Sequence, residues 1–502
     1  MHALRKSRRT FLSQLTGAAA AGAAGLLQAS SALAQTLSTS LANGLSRITG
    51  NIIRRGDDSY PSWWAGMTWY IFKPKRYPDV IVRAKSSEDA AETIRYAHQN
   101  EDRVAVRSTG HNPARAVLRD GGILLDLSQL RDVEIDAENR TAWIQPGIRA
   151  NELYQRTAEH GLVFPAAHTG MVGLGGYLLG GGIGWNMPEY GIACRSVLGA
   201  EVILADGNLT TVSEQNHPEL LWAIRGAGPG FFGAVVRYKI QLQEAHTAVE
   251  ASTYVIPIDR LDEALEEFDR IGEAADPRLE ILIKIGRFHP TENPYPERDI
   301  VCVVQFFAFA NSPEEATRLL TPVAASRVGE LSIHRRERVP VTYRELYIPP
   351  ETDQTSPART TVENMWTEEP GEALRKLAKK LVEQPPRSPR SFLLCGWSFN
   401  STFEDSTSCV RTGGRHYMSW YMIAEQEADI EPNYIWMDEA VALMRPYSKG
   451  HYINEIDPVR YPKHVAECFA PDDWERLRAL RVQYDPDRVF HDYIGPDAYA
   501  FE

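Results

Sequence analysis

A glycine-rich segment between Gly170 and Gly184 constrains this chain more than any other feature. It holds eight glycines in fifteen residues, although the whole chain has 36 in 502. Glycine adopts positive φ and carries no side chain, so we predict that this segment is a loop against whose backbone a ligand can lie directly. Bare backbone N–H groups hold phosphates, which makes a dinucleotide the natural ligand for such a segment. A close-packed turn or a membrane-helix contact surface is the alternative that this segment alone leaves open.

The N-terminal sequence is typical of an export signal. Ser7-Arg8-Arg9-Thr10-Phe11-Leu12 is a twin-arginine sequence, residues 15–27 are apolar, and Ala32-Leu33-Ala34 fits a cleavage site. We therefore predict a signal over residues 1–34, the twin-arginine export machinery as a partner, and a periplasmic or secreted protein. The apolar stretch is shorter than the roughly 20 residues that span a membrane, which argues against stable membrane insertion. This export route carries folded, cofactor-loaded proteins, so it independently supports a cofactor.

Composition narrows the range of partners. The formal charge is −12, and Lys and Arg are scattered, which argues against nucleic-acid binding and leaves a small molecule as the expected substrate. Five cysteines are too few and too scattered for a disulfide framework, although Cys395 and Cys409 could pair in an oxidising compartment. The thirteen histidines show no metal-ligand spacing, so no metal site is predicted.

Residue patterns along the chain predict an α+β fold. Short strands and helices alternate up to about residue 245, including a helix over 87–100 with acidic residues in its first turn. Beyond residue 246 a strand–helix–strand–strand–helix run is predicted over 252–258, 259–275, 281–288, 301–310 and 312–324. A Pro-rich stretch over 352–360 is predicted as a loop or lid, and a strand over 416–422 and a helix over 433–444 follow it. We predict a substrate domain over 246–449, built from an antiparallel sheet with helices on one face.

Two short motifs bear on phosphate binding. Gly228-Pro229-Gly230-Phe231-Phe232-Gly233 matches GxGxxG, but a strand pattern over 234–242 follows it, which argues against a nicotinamide Rossmann site. Residues 107–112 close a strand with a turn of small residues and place His111 at its tip. The N–H groups of such a turn can hold phosphates. A solvated surface histidine is the alternative.

Several motifs follow one another in an order that resembles a known family. They are Arg107-x-x-Gly110-His111, Asp126-Leu127-Ser128, Gln145-Pro146-Gly147, the glycine segment, Ala205-Asp206-Gly207, the GxGxxG region, Tyr452-Ile453-Asn454-Glu455 and Tyr484-Asp485-Pro486. Together they resemble the vanillyl-alcohol-oxidase or PCMH-type flavoproteins, and the last two are similar to the berberine-bridge-enzyme-like branch. The resemblance implies FAD as the cofactor, held by a two-part domain formed from residues 35–245 and 450–502.

The resemblance also implies which residues hold the FAD. His111 would be joined to the flavin 8α-methyl group, whereas Thr169 stands where relatives carry a second, cysteine link, so at most one covalent link is expected. Val172 stands where this branch gates oxygen access, which favours an oxidase over a dehydrogenase. The expected cofactor-binding residues are Arg107, Ser108, Thr109, Gly110, His111, Asn112, Thr169, Gly170, Met171, Val172, Gly173, Gly175, Gly176, Gly182, Gly184, Val235 and Asn454.

The chemistry requires a base beside flavin N5 that takes a proton while hydride leaves the substrate carbon. By resemblance Tyr452 is the first candidate if a positive neighbour or the flavin lowers its pKa. Glu455, His416 and Tyr417 are further candidates, although Glu455 could face away and the other two could pack in an aromatic strand with Trp420 and Tyr421. The expected function is a secreted FAD-dependent oxidase that acts on an alcohol carbon, of the sugar or the aromatic or allylic class, and reduces O₂ to H₂O₂. The alternatives are an amine oxidase, a dehydrogenase with a quinone or cytochrome acceptor, and a flavin-binding protein without catalysis.

Overall fold

The computed structural model describes residues 45–288, 299–347, 359–397, 407–410 and 414–495. The predicted signal over 1–34 and most of the predicted loop over 352–360 lie outside these residues. Backbone contacts divide the chain into two units, Met1–Thr49 and Gly50–Glu502, and all features below belong to the second unit. Within the described residues no helix combines the length and the apolar character needed to cross a membrane.

The first sheet has four short strands and ends where the candidate site begins. Its strands are β1 (Asn51–Arg54), β2 (Val80–Arg83), β3 (Val104–Arg107) and β4 (Ile123–Asp126), in the order β1-β2-β4-β3. Helix α1 (Tyr60–Ala65) follows β1, and α2 (Ser87–Gln99) joins β2 to β3. The hydroxyl of Ser86 caps α2 by accepting from Asp89 N at 3.1 Å, as the predicted helix start requires. Because β3 and β4 are parallel, their last residues, Arg107 and Asp126, lie side by side.

The second sheet is antiparallel, and its strands come before and after the glycine segment in the sequence. Its order is β5 (Val133–Asp136), β6 (Thr141–Ile144), β10 (Ala234–Gln241), β8 (Val197–Ile203) and β9 (Leu209–Ser213). The GxGxxG motif leads directly into β10, which confirms the strand that the sequence predicts there. Between these strands lie α3 (Ala150–Thr157), β7 (Leu162–Val163), α4 (Leu174–Leu179), α5 (Met187–Tyr190) and α6 (Pro218–Ile224), and β11 (Gln243–Glu244) pairs with β7.

The third sheet has seven strands, all antiparallel. Its order is β15 (His334–Val341), β12 (Ala248–Pro257), β14 (Val301–Ala310), β13 (Leu279–Gly286), β17 (Phe392–Gly396), β18 (His416–Ala424) and β16 (Arg359–Thr367). The sequence predicts β12, β13, β14 and β18 but misses the other three. In β16 the polar Glu363 and Asn364 are completely buried, and they hide the apolar alternation that marks a strand.

Helices cover one face of the seven-stranded sheet. Met365 and Met418 point into a core with α7 (Leu261–Ala274), α12 (Pro370–Glu383) and α13 (Ile430–Met444). Their neighbours Trp366 and Tyr417 pack together on the other face, since successive strand residues alternate. The remaining helices are α8 (Pro313–Leu319), α9 (Thr321–Ala324), α10 (Val328–Leu331), α11 (Tyr343–Tyr347), α14 (Lys463–Glu467) and α15 (Pro471–Tyr484). The predicted α+β fold is confirmed.

One local prediction is wrong, and one disulfide that the sequence left open does not form. The single helix predicted over 312–324 is two short helices, α8 and α9, because Pro322 in the first turn of α9 cannot donate the hydrogen bond that would continue α8. Cys395 and Cys409 are both free. Cys395 lies in the helix-covered core, whereas the Cys409 thiol donates to the carbonyl oxygen of Ala223 at 3.4 Å.

Candidate active site

Arg107 fixes the turn that follows β3. Its Nη1 forms an ion pair with Asp126 at 2.5 Å, its Nε donates to Met67 O at 2.7 Å, and its Nη2 donates to Thr109 O at 3.2 Å. These bonds tie the guanidinium to the backbone of the turn and of the preceding segment. Arg107 therefore shapes the turn, and the expected direct contact with a cofactor is not needed to explain it.

The turn itself, residues 108–112, offers unused backbone donors. Ser108 Oγ donates to Pro146 O at 2.5 Å, and Thr109 Oγ1 accepts from Gly173 N at 3.0 Å. Gly110 has a φ of +77°, and a Cβ there would lie 2.4 Å from Met67 O. Among the described residues, no acceptor faces the backbone N–H groups of 108–112. The turn is thus a ready cradle for a phosphate.

His111 lies at the tip of this turn as a neutral imidazole. Its ring stacks on Trp69, with centroids 4.9 Å apart and planes at 19°. Burial, with Arg149 and Arg107 nearby, lowers the pKa of His111 to about 4. Asn112, the next residue, donates from Nδ2 to Asn454 O at 3.3 Å, which ties the turn to the C-terminal segment.

The glycine segment is partly helical, which corrects the prediction of a loop. Gly173 precedes α4, and a Cβ on it would lie 2.3 Å from Thr109 Cγ2. A Cβ on Gly170 would lie 1.8 Å from Tyr347 O, and one on Gly184 would lie 2.2 Å from Ala166 O. These glycines allow close chain packing. Among the described residues nothing lies within 4 Å of a Cβ on Gly176, so this glycine faces open space.

A cavity of about 100 Å³ opens beside Gly176. It is bounded by Ser108 of the turn, Pro146, Gly228 of the GxGxxG motif, and Val235 at the start of β10. Gly175 also lines it, whereas Thr169–Gly173, Gly182 and Gly184 lie outside its lining. Some of the expected cofactor residues therefore line the cavity, whereas the other glycines of this segment allow close packing of the chain.

Tyr452 lies against the residues that follow α4, with its hydroxyl oxygen among three N–H donors. Gly182 N, Ile183 N and Asn454 Nδ2 donate to it at 3.2, 3.4 and 3.0 Å. Burial raises the pKa of Tyr452 above its ordinary value of 10, so the expected lowering is not observed. A Cβ on Gly180 would lie 2.2 Å from Asn454 Oδ1, which explains that glycine.

Glu455 faces the same space as Tyr452. Its carboxylate accepts from Tyr417 and, at 2.8 Å, from Tyr421, two residues that share one face of β18. Tyr417 also meets the Tyr452 ring edge-on, with centroids 6.0 Å apart. Burial raises the pKa of the Glu455 carboxyl. Sequence reasoning missed Tyr421, although its spacing from Tyr417 places both on the same side of a strand.

Comparisons with known proteins agree with this geometry. The family described as FAD binding domain matches residues 78–213, which include the turn and the glycine segment. FAD-linked oxidoreductase YvdP of Bacillus subtilis is 25% identical over 464 residues, 89% of this chain and 98% of that protein. The chain is therefore an FAD-dependent oxidoreductase that contains this FAD-binding domain. (R)-6-hydroxynicotine oxidase of Paenarthrobacter nicotinovorans is 36% identical over 249 residues, 48% of this chain and 52% of that protein.

Solved structures of PCMH-type enzymes share the fold along most of the chain. 6-Hydroxy-D-nicotine oxidase from Arthrobacter nicotinovorans matches with a TM-score of 0.74 and 24% identity, covering 89% of this chain and 98% of that one. Berberine bridge enzyme from Eschscholzia californica matches with a TM-score of 0.77 and 21% identity, covering 90% and 98%. The residues of this oxidoreductase also fit FAD, because Ser108 and the open Gly176 line the cavity, and the unused N–H groups and the neutral His111 follow Ser108 in the same turn.

His416 does not belong to this site, which corrects its place among the candidate bases. Its ring packs on Trp397, with centroids 5.1 Å apart, and Trp397 lies in the helix-covered core. Tyr417 is the neighbour that faces Tyr452. The error came from the alternation of a strand that is buried on both faces, since its sequence does not say which face meets the cofactor.

A buried polar cluster anchors the segment that carries Tyr452. His464 Nδ1 lies 3.0 Å from Glu363 Oε2, and Asp457 N donates to Glu363 Oε1 at 2.6 Å. One ligand atom from each of Glu363, His451 and His464 lies within 4.8 Å of the others. The two imidazoles stack with centroids 3.9 Å apart and planes at 13°, which leaves their in-plane lone pairs pointing along parallel planes. That arrangement suits a hydrogen-bonded anchor better than shared metal ligation.

A second polar pair joins the glycine segment to the seven-stranded sheet. His168 Nε2 lies 2.8 Å from Glu280 Oε1 on β13, and Glu280 Oε2 accepts from Asn186 N at 2.6 Å. Glu280 is buried, and His168 lies next to Thr169 and near enough to Glu455 for its charge to lower that carboxyl's pKa. Sequence reasoning missed this pair, because nothing in the local pattern links residues so far apart in the chain.

Proposed function

We propose that this oxidoreductase removes hydride from an alcohol carbon of a small molecule, of the sugar or the aromatic or allylic class, and transfers electrons to O₂. Bound FAD supplies a hydride acceptor at N5. In this proposal residues 35–245 and 450–502 hold the FAD, and residues 246–449 provide the substrate-facing sheet. A small molecule would enter between Tyr417 and Tyr421 of that sheet and Tyr452 of the C-terminal segment.

The arrangement around Tyr452 carries the proposal. Among the described residues its oxygen accepts three hydrogen bonds, and no acceptor is present for its own proton. N–H groups aimed at an oxygen stabilise negative charge that develops on it, without reorganisation. In this proposal Tyr452 first loses its own proton to solvent, at a cost that its raised pKa increases, and the phenolate held by these N–H groups then takes the substrate hydroxyl proton as hydride leaves. Glu455, joined to Tyr417, is the group that would receive a proton next.

Oxygen as the acceptor is supported by the small Val172 beside the turn. Its carbonyl accepts from Ala150 N at 3.0 Å, which fixes the backbone at this position. The test is to measure O₂ consumption and H₂O₂ production during substrate turnover. One H₂O₂ for each substrate oxidised supports an oxidase. Turnover that needs a quinone or cytochrome and consumes no O₂ contradicts this part and supports the dehydrogenase.

Amine oxidation is the second candidate, and Glu455 favours it. A carboxylate among the rings of Tyr417, Tyr421 and Tyr452 can hold a protonated amine by charge and by cation–π contact. The relative named (R)-6-hydroxynicotine oxidase points the same way. Matched alcohols and amines decide between the two: an amine that bleaches the flavin, while its alcohol analogue does not, replaces the alcohol proposal. A flavin that no substrate bleaches supports binding without catalysis.

We also propose a single covalent bond between His111 and the flavin. The neutral imidazole that burial maintains is the form in which a ring nitrogen can bond to carbon. Acid precipitation tests this: yellow colour should stay with the wild-type pellet and move to the supernatant in His111→Ala. Colour released from the wild type contradicts the bond and leaves FAD binding intact.

Export through the twin-arginine route is proposed from residues 1–34. The measurement is the location of the mature protein when Arg8→Lys and Arg9→Lys are combined. We expect the wild type outside the cytoplasm and the variant retained within it. Equal export of both proteins contradicts this route.

A further inference from the structure

The cavity beside Gly176 contains an arginine that forms no ion pair within the described residues. Arg119 lines it, and its Nε and Nη2 donate to the carbonyl oxygens of Ala116 at 2.7 Å and Asp492 at 2.8 Å. Within the described residues no carboxylate lies within ion-pair distance of Arg119, and none of the residues that line the cavity is Asp or Glu. The Asp492 carboxylate pairs instead with Arg478 and Arg481.

The surroundings of Arg119 add positive charge. Burial, with Arg76, Arg481 and Arg103 close by, lowers the pKa of Arg119 to about 9, although the charge of Asp492 opposes this shift. Burying a guanidinium that forms no ion pair is costly, and hydrogen bonds to neutral carbonyls offset only part of that cost. Such a site is stabilised by an anion that enters the cavity.

His491 supplies a second unused group in the same cavity. Its backbone N–H donates to Val104 O at 3.0 Å, which fixes it beside β3. Its Nε2 is buried and has no hydrogen-bond partner among the described residues. Burial and the neighbouring arginines lower the pKa of His491 to about 3, so the imidazole is neutral and can hydrogen-bond a sugar or a base.

We infer that Arg119 is the counter-charge of the phosphate in the AMP half of FAD, and that His491 hydrogen-bonds the same half. Ser108, the first residue of the turn, lines the cavity together with Arg119, Phe490 and His491. An isolated phosphate would leave His491 unused, whereas a nucleotide satisfies both groups. The pair therefore selects FAD over FMN, which lacks the AMP half. This inference depends on the FAD cofactor and not on the proposed oxidase chemistry.

The experiment measures nucleotide binding in a His111→Ala parent, from which flavin can be removed whether or not the natural link is covalent. FAD, FMN and ADP are titrated by calorimetry into the flavin-free protein. Arg119→Met should raise the Kd for FAD and ADP by about 10- to 100-fold and leave that for FMN within about threefold. Arg119→Lys should recover part of the loss, and His491→Phe should weaken FAD but not FMN.

Arg478→Met is the matched control, because Arg478 pairs with Asp492 but does not line the cavity. It should leave all three affinities unchanged. Equal weakening of FAD and FMN by Arg119→Met overturns the inference, as does an unchanged FAD affinity. If Arg119→Met does not fold, ADP is titrated into the His111→Ala parent with and without His491→Phe. ADP binding that His491→Phe weakens supports the inference, and absence of ADP binding to the parent overturns it. None of these results depends on turnover.

Discussion

The side-chain amide of Asn364 hydrogen-bonds both the backbone N–H and the backbone carbonyl of Tyr452. Asn364 Oδ1 accepts from Tyr452 N at 2.7 Å, and Asn364 Nδ2 donates to Tyr452 O at 3.1 Å. His451 Nδ1 hydrogen-bonds the Asn364 backbone carbonyl at 2.6 Å. Strand β16 therefore holds the segment of the candidate base through both the side chain and the backbone of Asn364. The position of the Tyr452 hydroxyl among its three N–H donors therefore depends on a side chain that never touches the substrate space.

Asn364→Ala should lower activity more than its loss of stability explains. Removing two buried hydrogen bonds should cost about 1–3 kcal/mol of unfolding free energy. A small displacement of Tyr452 should lower kcat by about tenfold or more, with little change in FAD content. The measurements are denaturant unfolding and kcat. Asn433→Ala is the control, because Asn433 is also buried but its amide has no partner among the described residues. Equal kcat in both variants contradicts this role of Asn364.

The His168–Glu280 pair should couple the glycine segment to the seven-stranded sheet. Glu280→Gln should cost about 1–3 kcal/mol of unfolding free energy, since the buried carboxylate serves both His168 and Asn186 N. A double-mutant cycle with His168→Gln should give a coupling energy of about 1–2 kcal/mol. The exposed pair His98–Asp487, at a similar 3.0 Å, provides the comparison and should couple by less than about 0.5 kcal/mol. Equal coupling energies in the two pairs would show that burial does not strengthen the His168–Glu280 interaction.

Two neighbouring glycines should respond differently to alanine. Gly173→Ala places a methyl 2.3 Å from Thr109 Cγ2 and should lower the unfolding free energy by about 1–3 kcal/mol. Gly176 is a residue of helix α4, and a methyl group added to it would point into open space. The flavin-free Gly176→Ala protein should therefore be as stable as the parent or slightly more stable. Its methyl enters the cavity, however, and should weaken FAD by about tenfold or more. Calorimetry on both variants checks this, and unweakened FAD binding by Gly176→Ala would place the cofactor elsewhere.

Local signals in the sequence predicted the elements that depend on neighbours in the chain. Helix α2 begins at the predicted residue because the Ser86 cap and the acidic first turn specify its start. It ends one residue before its predicted limit. The strand after GxGxxG followed from the apolar residues of β10 in the same way. The turn over 108–112 and the tail with Tyr452 could also be found, because their motifs are short and continuous.

The rest of the site depends on residues that meet only after folding. Glu363 and Asn364 look like loop residues in sequence, yet β16 buries both because the segment around Tyr452 and His464 satisfies their polar atoms. His416 and Tyr417 are adjacent in sequence, and only the helices on one face of the sheet decide which of them meets Tyr452. Arg119 belongs to no motif, and its proposed role follows from a cavity whose lining, among the described residues, holds no Asp or Glu.

Glu455 should make stability and activity change in opposite directions with pH. Burial raises the pKa of this carboxyl above its ordinary value, with hydrogen bonds from Tyr417 and Tyr421 opposing the shift. The folded protein therefore holds the proton more tightly than the unfolded chain does. Its contribution to stability is complete below the unfolded pKa and is lost as pH rises through the folded pKa.

Activity should rise over that same interval, because only the ionised Glu455 can receive a proton passed through Tyr417. Glu455→Gln should flatten both curves and lower kcat by about 10²- to 10⁴-fold. Exposed Glu431→Gln is the control and should reproduce the wild-type curves. The measurements are kcat/KM and denaturant unfolding across the acidic range. If Glu455→Gln keeps the rising limb of kcat/KM, another group receives the proton, and Glu455 then serves only to position Tyr417 and Tyr421.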